Sequence, residues 1–158
     1  MSKLIIKRAT YQEETEMVSC FALHLKEANN SILKDDLELA QYMADTVFLP
    51  AVERKDPIIV AQWGHENNIG VLFWVIPEDQ EAYAQPSAFC YGAYVLPNYR
   101  RKGVVSAMRN LGISILKERG IKYLYGNVEH DNKAALESMN KLGYELINYT
   151  MRLDVSPT

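Results

Sequence analysis

Long apolar runs, an excess of positive charge and closely spaced cysteines are all missing from this chain. No run approaches the roughly 18–20 apolar residues that a membrane-spanning helix needs, and the N-terminal MSKLIIKRAT lacks a signal-peptide core. We therefore expect a cytoplasmic protein with no membrane partner. The formal net charge of −3 argues against nucleic-acid binding, because a domain that neutralises many phosphates is usually basic.

The two cysteines, Cys20 and Cys90, lie far apart and have no partner at metal-ligand spacing. This pattern indicates reduced thiols rather than a disulfide framework, and we expect no metal site. A length of 158 residues and a hydrophobic content of 48% are typical of one globular domain with a real core. Residues 1–158 are therefore predicted to form a single domain.

A strand, a turn and a helix are predicted in succession within FCYGAYVLPNYRRKGVVSAMR. Aromatic and β-branched residues favour a strand over Phe89–Leu96, and Pro97 should end it because proline cannot donate to a sheet ladder. From Val104 onward, apolar residues recur at helical spacing. Gly103 therefore precedes a helix whose first N–H groups have no partner inside the helix.

This arrangement predicts a site for a phosphate or pyrophosphate. Amide donors and the positive end of the helix dipole attract an anion, and the missing side chain of Gly103 lets a ligand approach the backbone. The turn adds three positive charges, Arg100, Arg101 and Lys102. A solvated surface turn is the alternative interpretation, and the spacing matches neither G-x-x-x-x-G-K-[ST] nor G-x-G-x-x-G.

Both element types alternate along the rest of the chain, which predicts a mixed α/β domain in the order β-α-α-β-β-β-α-β-α-β-β. The predicted strands are Lys3–Arg8, Ile58–Trp63, Ile69–Ile76, Phe89–Leu96, Tyr123–Val128, Tyr144–Tyr149 and Thr150–Val155. A five-residue hairpin loop, Gly64–Asn68, should join the second and third strands. The predicted helices begin at the caps Thr10, Asp35 or Asp36, Gly103 and Asp131.

The segment V-L-P-N-Y-R-R-K-G-V-V-S resembles the coenzyme A (CoA) signature of the GCN5-related N-acetyltransferase (GNAT) family. That signature has a valine, a proline two residues later, and then [Q/R]-x-x-G-x-[G/A] at the start of a helix. Val95, Pro97, Arg100 and Gly103 match it. Val105 departs from it, because the family usually has glycine or alanine there.

A second segment supports the resemblance. Asn132-x-x-Ala135, followed by Lys141-Leu142-Gly143-Tyr144, is similar to the family's N-x-x-A…K-x-G-[F/Y]. The element order also resembles the family's acyl-CoA N-acyltransferase fold over nearly the whole chain. The resemblance implies a central mixed sheet of six to seven strands flanked by about four helices.

The resemblance implies acetyl-CoA as co-substrate. In the family, backbone N–H groups of the loop and helix start hold the pyrophosphate, the fourth strand faces the thioester and pantetheine, and the asparagine lies close to the pantetheine arm. Carried over to this chain, these contacts fall on Ala93, Tyr94, Val95, Arg100, Arg101, Lys102, Gly103, Val104, Val105, Ser106 and Asn132.

Two positions depart from the family's catalytic pattern. Asn127 stands where many members have a glutamate base, and Met139 stands where many have a tyrosine acid. A base is needed because a lysine-like amine, with a pKa of about 10.4, is mostly protonated at pH 7. Glu129 would share one side of a regular strand with Asn127 and is the candidate base, or else a solvated carboxylate. The candidate acids are Tyr91, Tyr94 and Tyr144.

These features predict acetyl transfer from acetyl-CoA to a primary amine by direct attack in a ternary complex. A polyamine, an aminoglycoside-like sugar amine and a peptide N-terminus all stay open as acceptor, and so does a homodimer. The carboxylates that would attract a cationic acceptor, or merely charge a helix start, are Asp35, Asp36 and Glu38.

Two alternatives to an active acetyltransferase stay open. One is a catalytically weak or inactive CoA-binding sensor or partner domain, which Asn127 and Met139 favour. The other is a plain nucleotide-phosphate binder.

Overall fold

A computed structural model describes residues 3–9, 46 and 49–156 of this chain. The chain separates into two compact units, Met1–Gly126 and Asn127–Thr158. The predicted helices after Thr10 and after Asp35 or Asp36 lie outside the described residues, and so do Cys20 and Glu38. One domain over residues 1–158 stays a prediction.

The first unit is built on a five-stranded sheet in the order β1-β2-β3-β4-β5. The strands are β1 (Leu4–Arg8), β2 (Ile58–Trp63), β3 (Glu66–Val75), β4 (Ser87–Val95) and β5 (Tyr123–Gly126). Neighbouring strands pair antiparallel except β4 and β5, which are parallel. The described helices of this unit are α1 (Leu49–Glu53) and α2 (Val104–Glu118), with 3₁₀ turns at Gln80–Ala82 and Pro97–Tyr99.

The mixed α/β fold predicted from the sequence is confirmed, with differences in detail. β3 begins at Glu66, and Trp63 pairs with Glu66. The hairpin loop is therefore two residues long, not five. Residue 64 has a φ of 64°, a left-handed value that glycine adopts without strain and that a tight hairpin requires.

The short helix α1 was not predicted, because a proline such as Pro50 usually marks the end of a helix in a sequence. Pro50 instead lies in the first turn of α1. The first-turn N–H groups of a helix have no partner inside it, so proline loses no hydrogen bond there.

Helix α2 packs against one face of the sheet. Its buried residues, Val104, Met108, Gly112 and Leu116, recur every four residues and form one stripe. Alternate residues of β2 and β3 complete this core, notably Ile59, Ala61, Leu72 and Trp74. Intervening residues such as Val60, Val71 and Phe73 form a second core on the opposite face of the sheet.

The second unit contains helix α3 (Lys133–Lys141). Asn132, not Asp131, is its N-cap, because the Asn132 side chain accepts a hydrogen bond from the Ala135 N–H at 3.1 Å. Gly143 follows the helix with a φ of 84°, the left-handed value typical of a glycine that ends a helix.

The last two predicted strands are wrong. Residues 144–156 have no regular secondary structure, so the described residues form five strands rather than six or seven. Alternation of apolar and polar side chains indicates which residues would share a face. It does not supply the neighbouring backbone that a strand needs.

Candidate active site

Strands β4 and β5 stop pairing halfway along β4. Their parallel pairing covers Ser87 to Cys90 opposite Tyr123 to Gly126, whereas β4 continues to Val95. A β-bulge lies at the same place, because Phe73 pairs with Gly92 and Trp74 with Cys90, so that Tyr91 is the inserted residue. A bulge bends its strand and increases the local twist, which fits a strand that leaves its neighbour.

The far half of β4 presents backbone amides at this opened edge. The Leu96 N–H donates to the Ile69 carbonyl at 2.9 Å, so Leu96 faces β3. Because successive residues of a ladder face opposite edges, the amides of Ala93 and Val95 point away from β3. Tyr94 lies two residues before Leu96, so its amide points toward β3 as that of Leu96 does. Of the three predicted residues, Ala93 and Val95 therefore have the orientation that a ligand at this edge requires.

The loop after β4 leads directly into the start of α2. Gly103 is the N-cap with a φ of 78°, and the Ala107 N–H donates to its carbonyl at 3.0 Å. A Cβ at residue 103 would meet no atom within 4 Å, so glycine is favoured there by its backbone angle and not by crowding within the protein. The N–H groups of Val104, Val105 and Ser106 belong to the first turn, which has no internal acceptors.

Val105 occupies the position where the family signature has glycine or alanine. Its half-buried side chain packs against the core between α2 and the sheet. The branched side chain is therefore directed into the protein, while the first-turn N–H group is retained. This departure is compatible with an anion at the helix start.

The three basic residues of the loop have different surroundings. The Arg100 Nε donates to the Val95 carbonyl at 2.8 Å, and its guanidinium lies 5.3 Å from the Tyr94 ring centroid. The Lys102 Nζ lies 5.4 Å from the ring centroids of both Trp63 and Tyr99, a cation–π arrangement. Exposed Arg101 has a left-handed φ of 61°. Arg100 and Lys102 are thus held by the protein beside the helix start.

The sequence prediction did not include Trp63 and Tyr99. Their rings lie 5.8 Å apart, and the Tyr99 hydroxyl donates to the Glu66 carboxylate. This hydrogen bond to Glu66 raises the pKa of Tyr99. The available signal was a Tyr inside the basic turn and a Trp at a strand end, but only the β2–β3 hairpin brings the two rings together.

Cys90 lies where β4 and β5 stop pairing. Burial raises the pKa of its thiol from 9.0 to about 11, although the charge of Arg109 opposes the rise. The thiol is therefore neutral at pH 7, and the thiolate is the nucleophilic form of cysteine. This argues against an acyl-cysteine intermediate at Cys90.

The predicted site residues of the second unit lie at and before α3. Half-buried Glu129 follows β5, which ends at Gly126 and not at Val128. The argument that Glu129 and Asn127 share one side of a strand therefore fails, and the role of Glu129 stays a prediction. Asn132 caps α3 with its side-chain oxygen, and Met139 is half-buried within the helix.

The described residues contain neither a metal-binding cluster nor a membrane-spanning helix. No group of three or more His, Cys, Asp or Glu side chains could hold a metal ion. None of the described helices has the length and apolar character needed to cross a membrane.

Several solved acetyltransferases have the same fold as this chain. A putative acetyl transferase from Pyrococcus furiosus superposes with a TM-score of 0.76 at 20% identity, covering 97% of this chain and 100% of that one. The aminoglycoside acetyltransferase AAC(6')-Iy, in complex with a CoA-containing bisubstrate analogue, gives a TM-score of 0.67 at 16% identity, covering 96% and 100%. AAC(6')-Iy in complex with CoA gives 0.70 at 13% identity, covering 98% and 95%.

No curated protein sequence matches this chain. The family model described as "Acetyltransferase (GNAT) family" does match, over residues 19–144, which is well over half of the chain. The CoA-signature residues of the β4–α2 loop lie within this match. The chain therefore belongs to the GNAT acetyltransferase family.

Proposed function

We propose that this protein transfers the acetyl group of acetyl-CoA to a primary amine of a small molecule, by direct attack in a ternary complex. The observation that carries the proposal is the junction of β4 and α2. There the N–H groups of the first turn of α2 follow a left-handed glycine, and the amides of Ala93 and Val95 point to an edge that β5 has left.

The cofactor's pyrophosphate belongs at the start of α2. Three first-turn N–H groups and the helix dipole favour a negative ligand there. Arg101, exposed, and Lys102, near the Trp63 and Tyr99 rings, supply positive charge within the same loop. Phosphate contacts of this kind position the co-substrate, and positioning is a major source of rate in such a transfer.

The acetyl thioester belongs along the far half of β4. The amine nitrogen attacks the thioester carbonyl carbon, and the carbonyl oxygen becomes an oxyanion. A backbone N–H of Ala93 or Val95 would stabilise this oxyanion by donating a hydrogen bond to it. The C–S bond then breaks, the sulfur leaves as the thiolate of CoA and takes up a proton, and the amine proton passes to a base. Glu129 is the candidate base, acting directly or through water.

A small cationic amine is the proposed class of acceptor. Two of the structural neighbours carry aminoglycoside-type ligands: AAC(6')-Iy is in complex with an acetylneamine bisubstrate analogue, and the aminoglycoside acetyltransferase meta-AAC0020 is in complex with sisomicin. Aminoglycosides and polyamines are therefore the first acceptors to try. A peptide N-terminus serves as the third class in the same panel.

Release of the CoA thiol, followed with a disulfide reagent over a panel of amines, tests this proposal. We expect one amine class to give turnover that depends on both acetyl-CoA and the amine, with a mass increase of one acetyl group on the acceptor. Acetyl-CoA binding without turnover by any amine would instead support a CoA-binding sensor domain, which Asn127 and Met139 favour.

A further inference from the structure

A pair of aromatic rings holds the last basic residue of the loop between β4 and α2. Trp63, at the end of β2, and Tyr99, in the 3₁₀ turn after β4, have ring centroids 5.8 Å apart. The Lys102 Nζ lies 5.4 Å from each of the two centroids. A cation within about 6 Å of an aromatic face is attracted by the ring, and here two rings act on one ammonium group.

The two rings are fixed by their own surroundings. Trp63 and Tyr99 are partly buried and pack against the core between α2 and the sheet. The Tyr99 hydroxyl donates to the Glu66 carboxylate, so the turn after β4 is tied to the β2–β3 hairpin. The register between β2 and β3 also shifts between Ala61 and Trp63. Irregularities of this kind re-aim a side chain and are frequent next to active sites.

We propose that Trp63 is a positioning residue for co-substrate binding: together with Tyr99 it holds the Lys102 ammonium group beside the first turn of α2, a role that rests on the proposed function. Lys102 directly precedes Gly103, the N-cap of α2, where the pyrophosphate of acetyl-CoA would lie. A free lysine side chain loses rotamer freedom when it binds a phosphate. A lysine that the rings already hold loses less, and the difference appears as affinity.

Arg101 provides a matched comparison within the same loop. It has the same charge as Lys102, it is also exposed, and it lies one residue earlier. Among the described residues, its guanidinium makes no cation–π contact, whereas those of Arg100 and Lys102 are present. Removal of the Trp63 ring should therefore change the contribution of Lys102 to cofactor affinity and leave that of Arg101 as it was.

A double-mutant cycle in acetyl-CoA affinity, measured by isothermal titration, tests this role. We expect Trp63→Leu and Lys102→Met each to weaken binding about three- to tenfold. The double variant should bind at least about threefold more tightly than the product of the two losses predicts, because the ring acts through the lysine. Trp63→Leu combined with Arg101→Met should instead give the full product. Trp63→Phe and Lys102→Arg keep a ring and a cation, and each should restore most of the affinity.

Two further measurements separate positioning from a general loss of structure. The loss of kcat/KM caused by Trp63→Leu should be at least about threefold smaller with S-acetylpantetheine, which has no phosphate, than with acetyl-CoA. With acetyl-CoA the loss should lie in KM and not in kcat. Because Trp63 is partly buried, the cycle is repeated with Tyr99→Leu, which removes the second ring and should also be coupled to Lys102.

The possible outcomes distinguish this role from the proposed function. A parent protein that binds no acetyl-CoA would overturn both. A parent that binds acetyl-CoA, with Trp63→Leu binding it as tightly or more tightly, would overturn the positioning role alone, because the rings would then hold Lys102 idle or away from the phosphates. Additive losses for Trp63 and Lys102, or equal losses with the two acetyl donors, would also overturn it.

Discussion

Two glycines with nearly the same backbone angle flank helix α2. Gly103 and Gly120 both have left-handed φ angles, of 78° and 77°, and a Cβ at either would meet no protein atom within 4 Å. They differ in position, because Gly103 precedes α2 and Gly120 follows it. Only the first of these glycines faces the end of the helix that attracts anions.

We expect Gly103→Asp to weaken acetyl-CoA binding at least about tenfold, since it adds a negative charge and a side chain at the proposed pyrophosphate site. Isothermal titration measures the affinity. Gly120→Asp is the matched control, because it has the same backbone strain and the same charge change, and its affinity should stay within about twofold of the parent. Equal affinities for the two variants would contradict the site assignment.

Glu129 was proposed as the base by strand parity with Asn127, but β5 ends at Gly126, before either residue. If its carboxylate takes the amine proton, Glu129→Gln should lower the acetylation rate by about 10²–10⁴-fold at unchanged cofactor affinity. The acidic limb of the rate–pH profile should also disappear. The control is Glu145→Gln, which removes an exposed carboxylate of the same unit. A loss below about threefold with the acidic limb intact would leave water as the proton acceptor.

At the scale of elements, the approach of α2 to the sheet depends on one small residue. Gly112 lies in the buried stripe of α2, and a Cβ there would lie 1.9 Å from the Cζ3 atom of Trp74. Trp74 itself is completely buried. The large indole on β3 thus occupies the space that a side chain on the helix would need.

Gly112→Ala should therefore destabilise the protein by about 1–3 kcal/mol, the usual cost of overpacking a core. The sign is diagnostic, because the same change in an exposed helix interior stabilises by about 0.5–1 kcal/mol. Urea denaturation measures the free energy of unfolding. Adding Trp74→Leu should recover part of the loss as a coupling between the two positions, and purely additive effects would argue against this contact.

At the scale of the whole molecule, burial couples one thiol to stability at alkaline pH. The pKa of Cys90 is about 11 in the folded protein, against an ordinary value of 9.0. Between these values the folded state keeps the proton and the unfolded state loses it. The free energy of unfolding therefore falls as the pH rises from about 9 to about 11, by roughly 2–3 kcal/mol from this group.

The Cys90→Ala variant should lack this part of the alkaline loss. Urea denaturation of both proteins at pH 7, 9 and 11 compares their slopes, so that the shared titration of lysines and tyrosines cancels. At pH 7 the variant should be less stable, because it leaves a small cavity. Parallel stability curves from about pH 9 to about pH 11 would show that Cys90 is not protected from ionisation.

Much of the fold and the outline of the candidate site followed from sequence alone. Strand β2 was predicted with its observed bounds, and the start of α2 at Val104 followed from Gly103 and the apolar spacing after it. The GNAT resemblance, read from Val95, Pro97, Arg100 and Gly103, is confirmed by the family match. These features depend on neighbours within a few residues, where glycine, proline and side-chain periodicity act directly on the backbone.

Only the tertiary structure decided the features that join distant parts of the chain. The bulge at Tyr91 needs the register between β3 and β4, and the cation–π contact of Lys102 needs the turn of the β2–β3 hairpin to bring in Trp63. The inward direction of Val105 needs the core beneath α2. The two strands predicted over Tyr144–Tyr149 and Thr150–Val155 are not formed in the described chain. A pattern of side chains specifies a face, while strand formation also requires a neighbouring backbone to complete its hydrogen bonds.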